Sequence, residues 1–138
     1  MSPPLVKAAA LPPGLSAPVG HYSHATVGNG LIFVSGLLAL DEAGQLVGGG
    51  DAGVQAQFIF ETLARILAAA RSDLTQVAKL NLYLLDLADR AAVNAARKAA
   101  FGDWRPASTL VQVAGLIGDG TLLEIEAVAA LPPAPEAR

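Results

Sequence analysis

The pattern of apolar and polar positions divides the chain into short alternating runs and two helical stripes. Residues 22–27 alternate in part, and Leu31 to Ser35 is an apolar run. Between them stands Gly28-Asn29-Gly30. Asn-Gly suits a type I′ turn, because both central residues need positive φ, and this predicts an antiparallel hairpin. A further short strand is predicted at Gln45–Val47, after the turn Asp41-Glu42-Ala43-Gly44. Asp51 follows three glycines and reads as a helix N-cap. From Ala52, the positions Val54, Phe58, Ile59, Leu63, Ile66, Leu67 and Ala70 keep a helical period. Val77 to Leu85 alternates in its first half, with Val77, Lys79, Asn81 and Tyr83 on one face. Asp86 or Asp89 can cap a second helix, Ala88 to Phe101, with Val93, Ala96, Ala100 and Phe101 inward. Strands are predicted again at Thr109–Val113 and Leu122–Ala130.

The order β-β-(β)-α-β-α-β-β predicts an α+β domain. It is a two-layer sandwich with a mostly antiparallel sheet of five to six strands and two helices on one face. The single domain spans residues 18–131, between an extended lead-in at 1–17 and a Pro-rich tail at 132–138. The face away from the helices carries Lys79, Asn81, Tyr83, Glu124 and Glu126. It is too polar for a dry core and suits a wet interface between subunits.

That pair of glutamates is the main candidate for chemistry. Glu124 and Glu126 lie in an otherwise apolar run, and alternation puts both on one side of the strand. Carboxylates in such company are paired, are hydrogen-bonded, or line a wet cavity, where a raised pKa suits acid/base work. The competing reading is one solvated or structural face of an antiparallel sheet.

Composition narrows the partners. Apolar residues make up 53% and charged residues 15%, which favours an assembly that covers more surface than one subunit can. The net charge is −3, and the nine Lys and Arg form no run, so neither nucleic acid nor a membrane surface is an expected partner. There is no cysteine, and His21 and His24 are the only imidazoles, so no metal centre is expected. No apolar window is long enough to span a bilayer and residues 1–10 make a poor signal peptide; a cytoplasmic protein is expected.

Several strings occur in order: Gly20-His21-Tyr22-Ser23, Phe33-Val34-Ser35-Gly36, Gln55, Val77-Ala78-Lys79 with Leu84-Leu85-Asp86, Asn94 with Phe101, Pro106-Ala107-Ser108-Thr109, and Glu124-Ile125-Glu126-Ala127. Together they resemble the RidA/YjgF/UK114 family, also labelled L-PSP endoribonuclease, over residues 18–130. The resemblance implies a chorismate-mutase-like fold, a homotrimer, and three clefts between subunits. It also implies hydrolysis of small enamines and imines to a keto acid and ammonia, with no metal or organic cofactor. Carried across residue by residue, it makes Glu124 the group that positions or activates water. Tyr22, Ser35, Gly36, Ser108 and Thr109 become substrate-binding positions, and His21, Leu37, Asn94 and Arg105 further cleft-lining candidates.

One departure matters most. The family string Pro-Ala-Arg-Ser supplies an arginine for the substrate carboxylate, and Ser108 stands in its place. Arg105 lies three positions earlier, an odd offset that would point it to the opposite face of an extended segment. A serine offers one uncharged donor where a guanidinium offers a bidentate, charged one. Weak activity on 2-iminopropanoate and 2-iminobutanoate is therefore expected. Three functions follow in order: a metal-free imine or enamine hydrolase with a non-standard substrate, a non-catalytic trimer that binds a small ligand, and, last, a ribonuclease.

Overall fold

The computed structural model describes residues 2–133, so most of the 132–138 tail lies outside the described residues. Six strands form one mixed sheet: β1 (Lys7–Ala8), β2 (Ala25–Gly28), β3 (Leu31–Leu37), β4 (Val77–Leu84), β5 (Ala107–Gln112) and β6 (Leu123–Ala130), ordered β1-β2-β3-β6-β4-β5. Only β4 and β5 run parallel. Helices α1 (Ala52–Ala69) and α2 (Arg90–Phe101) pack on one face, and Phe60 meets Phe101 edge-to-face at 5.5 Å. The two-layer α+β expectation holds.

Local chemistry accounts for most of these elements. Asn29 and Gly30 both take positive φ, 53° and 76°, and turn β2 into β3. The Asp51 carboxylate accepts from Val54 N–H at 3.1 Å and starts α1. α1 ends in a Schellman motif: Arg71 takes φ 63°, its N–H bonds Ala68 O, and Ser72 N–H bonds Leu67 O. Asp86 caps a single turn at Leu87–Asp89 by accepting from Ala88 N–H, and α2 begins only at Arg90.

Four local expectations are corrected. Gln45–Val47 forms no strand. Asp41 accepts from Ala43 and Gln45 N–H in a tight turn, which leaves only a Leu40–Leu46 bridge. The sixth strand is instead β1, from the lead-in, where Lys7 pairs with Val27. Val77 does not share a face with Lys79: a bulge between them turns Val77 into the core. Val54 is 43% exposed, and the neighbouring Gln55 is buried in its stead.

Gln55 is a polar pin in an apolar core. Its amide donates to Gly49 O (2.7 Å) and Gly120 O (3.0 Å), and its oxygen accepts from Leu122 N–H (3.0 Å). It ties the start of α1 to the turn before β6, and thereby sets where Glu124 begins its run. Along β6, Leu123, Ile125, Ala127 and Ala129 are buried toward the helices, and Glu124 and Glu126 face the open side. Among the described residues, no helix is long and apolar enough to cross a membrane.

Candidate functional site

The two carboxylates on the open face have different surroundings. Glu126 is held from β4: Tyr83 OH donates to its Oε1 at 2.5 Å, and Asn81 Nδ2 donates to the same oxygen at 3.1 Å. Glu124, opposite Tyr83 in the register, is half-buried and receives no such bonds among the described residues. Burial, then the charge of Glu126, push its pKa above the ordinary carboxylate value. Tyr83 is raised too, first by its bond to Glu126.

β3 makes room for Glu124. Between Val34 and Leu37 the β3–β6 register slips at a bulge, which sets Ser35 and Gly36 against the single residue Glu126 and leaves them with no strict partner. The glutamate lies across Gly36: a Cβ there would come within 2.6 Å of its Cδ and 2.8 Å of its Cγ. Ser35 is fixed beside it, with Oγ donating to Ser23 O at 2.7 Å and N–H to His24 O at 2.9 Å.

Tyr22 precedes β2 in a loop, is 44% exposed, and lines a small pocket that also includes Gly36 and Leu37. Its hydroxyl accepts from Val19 N–H at 3.3 Å. Leu37 is buried with the core, while His21 is exposed in the same loop as Tyr22. Thr109 sits on the open face of β5 and accepts from Lys79 Nζ at 2.9 Å.

Ser108 lies elsewhere. In the parallel β4–β5 register it aligns with Leu80, whose side chain is buried toward the helices, so Ser108 faces α2 and not Glu124. It lines a groove of about 1120 Å³ between α2 and β5, together with Asn94 and Arg105. The expected opposition of Arg105 and Ser108 fails: Arg105 lies before β5, which starts only at Ala107, and lines the same groove as Ser108. Within one chain Glu124 and Thr109 therefore lie on the open face of the sheet, and Ser108 and Asn94 on the helical side.

Arg97 is the residue that the sequence analysis missed. Its Nη1 donates to Ser108 Oγ at 2.7 Å and its Nη2 to Asn94 Oδ1 at 3.0 Å. Its Nε is buried without a partner among the described residues. Burial, then the charge of Arg90, lower its pKa. Arg90, Lys98 and Arg105 line the same groove, so bases scattered in sequence gather in space. The signal was available: 90, 94, 97, 98 and 101 fall on one stripe of a helix. Among the described residues, no group of three or more His, Asp or Glu is placed to hold a metal.

Comparison with known proteins agrees with this architecture. The model of the Endoribonuclease L-PSP family matches residues 13–131. A 3-aminoacrylate deaminase, RutC, of Acinetobacter baylyi is 39% identical over 119 residues, covering 86% of this chain and 94% of the relative. The crystal structure of RidA from an Antarctic Psychrobacter superposes with a TM-score of 0.79 at 32% identity, covering 94% of this chain and all (100%) of that one. A yeast protein, YEO7, gives a TM-score of 0.84 at 31% identity, covering 92% of this chain and 99% of its own. By the extent of the family match and by the shared fold, this chain belongs to the Endoribonuclease L-PSP family, which includes the RutC and RidA proteins.

Proposed function

We propose that this chain is a deaminase that hydrolyses a small imine or enamine without a metal, in clefts between subunits of a homotrimer. The observation that carries the reading is the unpaired, half-buried Glu124, seated over Gly36 beside a second carboxylate that is already tied down. Imine hydrolysis needs a group that exchanges a proton with water near neutrality and donors for the developing tetrahedral centre. A carboxyl whose pKa is raised by burial suits the first task. The backbone of the bulge at Gly36 suits the second, since the Ser35 hydroxyl hydrogen is already given to Ser23 O.

The separation of the half-sites supports the cleft. Glu124 and Gly36 lie on one face of the sheet, and Ser108 and Asn94 on the other, beside α2. A neighbouring copy that presents its α2–β5 groove to the open face completes one site from two chains. The polar character of that face fits a wet cleft better than a dry interface.

RNA cleavage is ranked below deamination. The cationic groove would suit phosphate, but no carboxylate or imidazole is among its lining residues to act as a base. The test is release of keto acid and ammonia from imines generated in situ by an amino-acid oxidase. Glu124→Gln should abolish turnover while product binding persists. A variant as active as wild type would overturn the role of Glu124, and a ligand bound but never consumed would favour the binding-protein reading.

A further inference from the structure

We propose that Arg97 is the anion anchor of this chain, and that its guanidinium, delivered from α2 to Ser108, binds the acid group of the substrate. The proposal rests on the deaminase reading for the reaction, but not for the binding event.

Three observations converge. The Arg97 guanidinium is held in place by two neutral acceptors, Asn94 Oδ1 and Ser108 Oγ, so its charge is oriented but not neutralised. Nε is buried and unpartnered among the described residues, and each Nη has a second N–H beyond the one it gives to Ser108 or Asn94, a donor for an acid group. Arg90, Lys98 and Arg105 border the same groove, and no carboxylate is among its lining residues. Oriented, uncompensated positive charge in a cavity large enough for a metabolite is a site for a small anion.

The position of the charge also bears on substrate length. A serine oxygen is bonded directly to its Cβ, whereas an arginine on β5 would carry its guanidinium outward on a long stem. Arg97 meets Ser108 at that short side chain, so the positive charge is drawn back toward β5. The acid group must reach deeper into the groove. The favoured substrate is then an imine or enamine whose acid group stands further from the reacting carbon than in 2-iminobutanoate. This accounts for an arginine lost from the strand without loss of anion recognition.

The test is calorimetric titration of the full-length protein with 2-oxobutanoate, 2-oxoglutarate and inorganic phosphate, read beside the ligand-free melting temperature. Wild type should bind 2-oxoglutarate more tightly than 2-oxobutanoate. Arg97→Met should weaken the longer acid at least tenfold with its melting temperature kept, and Arg97→Lys should recover part of the loss. In the Arg97→Met background, Ser108→Arg should restore binding with the preference reversed toward 2-oxobutanoate. Wild type that binds neither keto acid, an Arg97→Met protein that binds as wild type, or binding of phosphate alone would overturn the proposal. Because binding is read without turnover, a wild type that binds keto acids but hydrolyses no imine overturns the deaminase reading and leaves the anchor standing.

Discussion

Tyr83 donates its phenolic hydrogen to Glu126 at 2.5 Å, and this bond decides which of two neighbouring carboxylates remains free. Glu126 is committed to β4, while Glu124 keeps open lone pairs and feels the charge of its neighbour. Removing that charge has a definite sign. Glu126→Gln should lower the Glu124 pKa, although burial, the larger cause, still holds it above the ordinary value. The acid limb of the pH–rate profile should move to lower pH, and an unchanged limb would show that Glu124 does not govern it.

Gly36→Ala places a methyl group against the Glu124 side chain. It should cost about 1–3 kcal/mol, as overpacking commonly does, together with activity. The double variant with Glu124→Ala should recover most of the stability and none of the activity. Urea denaturation of both singles and the double gives the coupling, and additive costs would place the clash elsewhere.

Glu124 should also leave a mark on stability against pH. Its folded-state pKa is raised, so the folded chain binds that proton more tightly than the unfolded chain. The stability it contributes is fully present below about pH 4.3, the ordinary glutamate value, and is lost as pH rises through the folded value. Glu124→Gln should therefore melt higher than wild type at pH 8 and nearly equal to it at pH 4. Scanning calorimetry at both values checks the sign.

Gln55→Leu removes three hydrogen bonds at once and leaves Leu122 N–H without its acceptor. A loss of about 2–3 kcal/mol is expected, in line with stranding a buried donor. Amide exchange should accelerate at Leu122 specifically. A Leu122 amide as protected as in wild type would mean that another group accepts from it.

Much of the fold was legible before any coordinates, wherever one local signal acted without competition. The Asn29-Gly30 turn, the Asp51 cap and the alternation of Glu124 and Glu126 against Leu123 and Ile125 are of that kind. Where two residues far apart in the chain decide, local pattern gave out. The bulge that turns Val77 inward answers to pairing with β6. Lys7–Ala8 becomes a strand only because β2 offers an edge. Arg105 lies outside β5, which begins at Ala107, so strand alternation does not fix its direction. Arg97 stands on a helical stripe plain in the sequence, yet its meaning depends on β5 lying parallel beside β4 and presenting Ser108 to α2. A missing arginine on a strand could be read from sequence; its counterpart on a helix needed the tertiary contact.

If the cleft is shared between copies as proposed, a sheet that keeps Glu124 on one side and Arg97 on the other makes each protomer a donor of two unlike halves. Two variants, the inactive Glu124→Gln and the weakly binding Arg97→Met, then damage different contributions to the same chamber. Unfolded together and refolded, they should complement each other: random assortment in a closed ring leaves about a quarter of the chambers intact. Activity above that of either parent is the behaviour of a catalyst that no single polypeptide owns.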